Sequence, residues 1–389
     1  MTLIKQYLKK QNFVPFIPGP FLKDAKIMVV IPCRDEPDLP STIHSLELAS
    51  LVSNELIEVI IVVNDRADDL ENVYTQNKRT IEWIKHYQGE LKIQPIYLHQ
   101  VPNKKAGVGL ARKTGMDEAV YRFSMAGEND GIICSLDADT TVLENYFEAI
   151  RDGFERSKKS CLVIEFEHKI EGLDTLHAEA IENYESHLRY YVAALRYAGF
   201  EQAFQTIGSA FAVKANAYAG MGGMPPRQAG EDFYFINKFS KIYQVAELRT
   251  TKVFPSARIS HRVPFGTGKA IGDALLKNRD LGKTYPLSAF MDLKLFIDNL
   301  EGLYLNPDWK NISLPETICS FLEEIEFHTV LDELKSNTSN FDNFRKRFFQ
   351  KMDAFMMMKY IHFARDKYYG MDALTEAISN LKKNSGKSI

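Results

Sequence analysis

Cysteine is scarce in this chain: four in 389 residues, Cys33, Cys134, Cys161 and Cys319. No two are spaced as C-x-x-C, which removes the usual zinc and thiol-exchange patterns. The first three lie in apolar runs that read as core strands, so buried free thiols in a reducing compartment are expected rather than disulfides. No run of about eighteen apolar residues occurs, so no helix is expected to span a bilayer. Residues 1–10 lack the apolar stretch and small-residue cleavage site of a signal peptide, and the expected address is the cytoplasm. An excess of one charge is missing too. Lys and Arg total 48 against 51 Asp and Glu, leaving −3, unlike the basic footprint of a nucleic-acid binder. Phosphate-binding glycine loops are also missing. The first loop, Ile31-Pro32-Cys33-Arg34-Asp35-Glu36, contains no glycine, so a G-x-G-x-x-G dinucleotide turn is disfavoured. Phe265-Gly266-Thr267-Gly268-Lys269 imitates a P-loop, but Val263 stands where its first glycine belongs and no hydroxyl follows the lysine.

What is present is an ordinary folded composition, 45% hydrophobic and 25% charged, with length for two or three domain-sized units or one large α/β domain and an appendage. Apolar, β-branched runs at Ile27–Pro32, Ile57–Val63, Ile93–His99, Gly131–Leu136 and Cys161–Phe166 alternate with helical patterns at Leu39–Leu51, up to about Tyr87, at Gly107–Ser124 and at Val142–Phe154. Strands apolar on both faces, joined by helical crossovers, predict a mostly parallel central sheet covered on each side. Ligands of such sheets sit beyond the carboxyl ends of the strands. A long helix is expected from Leu173 to about Arg196, a strand near Ile207–Val213, a Gly-rich stretch over Gly220–Gly230 and a helix at about Glu231–Phe239. Beyond Thr267 amphipathic helical segments dominate. One of them carries Phe349, Met352, Met356, Tyr360 and Phe363 on a single face, read as an internal helix interface in preference to a partner surface.

Acids gather where the strands end: Asp35 and Glu36, then Asn64-Asp65-Arg66, then Asp137-Ala138-Asp139. Like charges converging on one sheet edge are costly unless a cation or a hydrogen-bonding ligand meets them. Asp65 taken alone reads as a cap or turn residue. Two carboxylates one residue apart suit Mg²⁺ or Mn²⁺, hard ions that keep positions open for substrate phosphates.

In order, IPCRDE, VVND, LDADTTV and AGEDFYFINKF resemble the motifs of a family 2 glycosyltransferase of the GT-A fold, a nucleotide-diphosphosugar-binding α/β sandwich. The set covers about the first 270 residues, implying a nucleotide-sugar-binding and catalytic domain over 1–268 and a C-terminal helical region over 269–389. The resemblance implies that Pro32 and Glu36, with Arg34 between them, form the nucleotide-contacting opening loop and that Asp65 binds the base. It makes Asp137, Ala138 and Asp139 the diphosphate and metal motif, with Asp139 the direct ligand, and Glu231-Asp232 the catalytic pair, with Asp232 as base. Alternatively, Glu231 and Asp232 simply favour a helix dipole. His261, between Arg258 and Arg262, is a further metal ligand or else a diphosphate contact or surface residue. Lys105 and Arg112 pair with the diphosphate or base, or are solvated helix charges. Two departures stand out: Asn64-Asp65-Arg66-Ala67 replaces the family's Asp-Asp-Gly-Ser, and the Q-x-x-R-W signature and membrane helices of processive synthases are missing.

The expectation is a metal-dependent enzyme using Mn²⁺ or Mg²⁺. It would move one sugar from a UDP- or GDP-linked donor to a hydroxyl acceptor (a sugar, a small molecule or a lipid-linked group), with inversion. The alternatives are retaining chemistry on the same fold and a non-catalytic sugar-nucleotide-binding scaffold. A nucleotidyltransferase would open with a G-x-G-T-R loop, which is absent.

Overall fold

The apolar runs pair as one sheet in the computed structural model, which describes residues 2–19, 21–259, 266–277, 279–306 and 308–386. In chain order come α1 (Leu3–Lys10), β1 (Ala25–Cys33), α2 (Leu39–Val52), β2 (Leu56–Arg66), α3 (Glu71–Lys85), β3 (Lys92–Val101), α4 (Val108–Ala126), β4 (Ile132–Ser135), β5 (Thr141–Val142), α5 (Tyr146–Ser157), β6 (Cys161–Phe166), α6 (Thr175–Tyr197), β7 (Phe211–Lys214), α7 (Ala215–Gly220), α8 (Glu231–Ser240) and β8 (Val245–Phe254). The sheet order is β3-β2-β1-β4-β7-β6-β8-β5. Strands β3, β2, β1 and β4 run parallel, with Val29 registered on Val59 and on Cys134. Strand β7 enters antiparallel between β4 and β6, and β5 lies antiparallel on β8. The expected α/β layering with a mostly parallel sheet is thus present, with a mixed half beyond β4. The loops after β1, β2 and β4 leave from the same edge. The helix expected from Val142 starts instead at Tyr146, because Thr141–Val142 pairs with Val253 and Phe254.

Helix α4 is sunk into this layer. Its Gly115 faces the sheet so closely that a β-carbon there would fall 2.5 Å from Val30 Cγ1 and 2.9 Å from Val62 Cγ2. Below it, Glu58 lies fully buried near the start of the apolar strand β2, satisfied by a two-pronged ion pair from Arg122 at 2.6 and 3.2 Å. One turn earlier, Asp117 accepts from Tyr7, Tyr218 and Lys113, each at 2.7 Å, which ties α1 and α7 to α4. Gly115→Ala is expected to destabilise the protein. The better helix propensity of Ala returns only about 1 kcal/mol, while forcing a methyl between two stiff, β-branched side chains costs about 1–3 kcal/mol. A lowered denaturant midpoint at unchanged slope is the measurement that checks it.

The chain divides into two compact units. The first comprises residues 1–171, 206–239 and 244–269, the second residues 172–205, 240–243 and 270–389. The second unit has its own helical core, which includes Tyr190, Phe290, Phe296, Trp309, Phe321, Phe348 and Tyr360. The Phe349–Phe363 stripe lies in that core, as an internal interface. It sits on two helices rather than one: Phe341–Lys351 ends, and Asp353 caps Ala354–Ala364 by accepting from the Phe355 and Met356 N–H groups at 3.0 and 3.1 Å. A two-residue antiparallel pairing, Lys283–Thr284 with Asp372–Ala373, occurs where no strand was anticipated. Among the described residues no helix is long and apolar enough to cross a membrane.

Candidate active site

Pro32 is buried within β1, and the chain turns just beyond it without a glycine. Asp35 takes the left-handed conformation instead, with φ +52°, a region Asp tolerates better than most residues. Its N–H donates to Asn77 Oδ1 at 2.9 Å, and Arg34 forks onto Asp69. Asn77, buried on α3, also donates to the Asn64 carbonyl at 3.1 Å and to Asp65 at 3.3 Å, so one amide stitches the first two loops together. Asp65 itself is fully buried. Tyr97 Oη (2.7 Å), His99 Nδ1 (3.0 Å) and the Gln100 N–H (2.6 Å) complete its shell. Burial alone would raise its carboxyl, but these hydrogen bonds outweigh burial and hold it below the ordinary aspartate value. Tyr97, His99 and Asn77 carry no motif and were invisible in the sequence.

The third loop leaves Lys105 exposed and opens α4 at Gly107. A β-carbon on Gly109 would fall 2.1 Å from the Arg227 carbonyl oxygen and one on Gly107 2.9 Å from Gln228 Cα, so the Gly-rich segment before α8 lies directly on the start of α4. Arg112, one turn into the helix, is buried under the rim. Its guanidinium donates to Asp137 Oδ1 at 2.9 Å, Glu231 Oε1 at 3.1 Å, the Gly208 carbonyl at 2.8 Å and Ser135 Oγ. Burial opposes its charge, but Asp137, Glu231 and Asp232 together keep it firmly protonated. A β-carbon on Gly208 would fall 2.6 Å from Arg112 Nη2, so a larger residue here would have to displace the guanidinium.

Strand β4 delivers Asp137, Ala138 and Asp139 at the same edge. Thr42 of α2 donates to the Ala138 carbonyl at 2.9 Å and fixes the loop from the other side. Asp139 Oδ2 accepts from Arg258 Nη2 at 3.0 Å, and the same guanidinium pairs with buried Glu36 and, at 2.9 Å, with Asp38. Arg258 thus joins the first loop to the acid pair. His261 lies outside the described residues. Among the described residues no three His, Cys, Asp or Glu side chains converge as an all-protein metal cage. The donor set nevertheless fits Mg²⁺ or Mn²⁺, which need only one or two carboxylates plus phosphate and water oxygens. Arg112 pairs with Asp137 and Glu231, and Arg258 with Glu36, Asp38 and Asp139, so guanidinium groups already sit among the acids of this rim.

Glu231 and Asp232 open α8. Glu231 is buried against Arg112, and Asp232 Oδ2 lies 3.3 Å from where a β-carbon on Gly208 would stand. Burial pushes the Asp232 carboxyl up to about 7, Glu231 and Asp137 act in the same direction, and Arg112 and the Phe233 N–H act against them. Asp137 from the acid pair after β4 and Glu231 from the pair opening α8 therefore share the Arg112 guanidinium.

Residues 28–217 match the profile of Glycosyl transferase family 2. No curated protein matches the chain. Among solved structures it is similar to S. aureus TarS 1-349, at 12% identity and TM-score 0.42, covering 84% of this chain and 92% of that one. The complex of TarS 1-349 with UDP-GlcNAc matches at 10% identity, TM-score 0.42 and the same coverage. GalNAc-T7 with UDP, GalNAc and Mn²⁺ matches at 13% identity and TM-score 0.41, covering 86% of this chain and 57% of that one. Through residues 28–217 the chain belongs to the family 2 glycosyltransferase superfamily and has its GT-A fold, which makes it a glycosyltransferase-type enzyme for nucleotide-sugar donors.

Proposed function

We propose that residues 1–268 form the nucleotide-sugar-binding and catalytic domain of a metal-dependent transferase. It moves a single sugar from a UDP- or GDP-linked donor to a hydroxyl acceptor, with inversion. The observation that supports this reading is the shared Arg112, which pairs with Asp137 and with Glu231, the neighbour of Asp232. In the reaction the bond from the anomeric carbon to the acceptor oxygen forms as the bond to the diphosphate oxygen breaks. The acceptor proton passes to Asp232, whose carboxyl near 7 suits a general base. Arg112, held by Glu231, Ser135 and the Gly208 carbonyl, lies close enough to favour the ionised form of that carboxylate.

Asp139, with Asp137, would hold Mn²⁺ or Mg²⁺, which when bound offsets the charge developing on the leaving diphosphate. Asp65, Pro32, Arg34, Glu36, Ala138 and Lys105 would line the nucleotide, with Asp65 setting the edge against which the base lies. His261 is retained as a further candidate ligand. The acceptor is a hydroxyl of a sugar, a small molecule or a lipid-linked group, and the setting we infer is the cytoplasm, where buried free thiols such as Cys33, Cys134 and Cys161 persist.

Calorimetry with UDP- and GDP-sugars, with and without Mn²⁺, tests the proposal. Expected is binding strengthened at least tenfold by Mn²⁺, with that gain lost in Asp139→Ala, and NMR of the product showing the inverted anomer. Metal-independent binding untouched by Asp139→Ala would instead mark a sugar-nucleotide-binding scaffold, and a retained anomer would remove Asp232 from its role.

A further inference from the structure

We infer that Arg258 is a built-in cation that occupies the metal's electrostatic place at Asp139 and is exchanged for the metal when the enzyme loads. The inference rests on the metal-dependent reading above and concerns a residue to which that reading gives no role. Arg258 follows β8, far in sequence from its partners, yet one guanidinium spans three of them. Nη2 pairs with both Glu36 and Asp139, and Nη1 reaches Asp38.

Glu36 shows why the contact is more than a surface ion pair. Its side chain is 2% exposed, its Oε1 accepts the Asp38 N–H at 3.0 Å, and its Oε2 rests on Arg258. A buried carboxylate that loses a cationic partner is disfavoured. Arg258 therefore leaves more readily when another positive charge arrives within reach of the same acids. A divalent ion at Asp139 is such a charge, and it claims the carboxylate on which Nη2 is seated. Once displaced, the guanidinium stands at the rim with its donors available to the phosphate oxygens of the incoming donor, a geometry Arg suits through its planar fork. Loading would thus proceed as an exchange of one cation for another at Asp139.

Titrating Mn²⁺ alone, without nucleotide, and reading free Mn²⁺ by electron paramagnetic resonance separates this from a merely structural role. Arg258→Ala is expected to bind Mn²⁺ at least tenfold more tightly than the wild type. Arg258→Lys should change the affinity less than threefold, since the charge remains. The Ala gain should persist at 0.5 M NaCl, where a long-range field effect of the missing charge is screened to about 4 Å or less. With Mn²⁺ saturating, the same Ala variant should bind UDP or GDP more weakly. Equal Mn²⁺ affinity in the wild type and Arg258→Ala, or a gain that vanishes at high salt, overturns the exchange while leaving the metal-dependent reading intact. Failure of both proteins to bind Mn²⁺ overturns both. Circular dichroism of each variant guards against misfolding, and Arg258→Gln, which keeps hydrogen-bonding capacity without charge, should repeat the Ala result if the fold is sensitive to truncation.

Discussion

Replacing Asp232 with Asn is expected to lower kcat by about 10²–10⁴ with sugar-nucleotide affinity nearly unchanged, because the exchange preserves shape and removes only the proton acceptor. The same residue should shape the pH profile. With its carboxyl raised to about 7, chiefly by burial, the base is unprotonated only on the alkaline side, so kcat/KM should climb through about pH 7. Stability should run the opposite way. A carboxyl whose folded-state value lies above its unfolded value, about 3.9, favours the folded state below the unfolded value, and that advantage is lost as pH rises through about 7. Asp232→Asn, neutral at every pH, should therefore melt at a higher temperature than the wild type at pH 8, with the difference shrinking as pH falls towards 4. An inactive variant that is more stable at alkaline pH, seen by activity assay and thermal melting together, is an outcome that a purely structural Asp232 would not give.

Arg112→Met is expected to be the most destabilising single change at the site. It leaves Asp137 and Glu231 facing each other without their common cation, and breaking a buried pair by removing one partner costs about 3–5 kcal/mol. Denaturant unfolding measures it. Arg112→Lys should recover only part of the loss, since one ammonium cannot reach Asp137, Glu231, Ser135 and the Gly208 carbonyl together. Arg112 also favours the ionised form of Asp232, so any residual activity in either variant should have its midpoint displaced upward from the wild-type value. If the midpoint stays in place while stability falls, Arg112 supports the fold without tuning the base.

The strands were legible because Ile57–Val63 and its neighbours are apolar on both faces, which only a covered parallel sheet accommodates. The acids at Glu36, Asp137 and Asp232 were legible because short motifs mark strand ends and helix starts. Other features escaped for definite reasons. Arg112 was legible as a candidate but not as a buried cation shared by Asp137 and Glu231, because its Ala-, Arg- and Lys-rich helix reads as half solvated, whereas α4 is buried along nearly its whole length by a sheet, α1 and the 225–230 segment. Arg258 meets Glu36 across 222 residues, and no local spacing encodes such a contact. Phe349 and Met356 share a period that ignores the break between them, because one helix ends at Lys351 and Asp353 caps the next within the same apolar rhythm.

Helix α4 is nailed down at three levels: by Arg122 on Glu58, by Asp117 among two tyrosines and a lysine, and by Arg112 at the rim. It works as an anvil. Against its upper end, the 225–230 strip lies backbone to backbone over Gly107 and Gly109, a seam with no teeth. Because backbone atoms make that contact, it can persist whatever side chains the strip carries, while Arg112 beneath keeps its alignment.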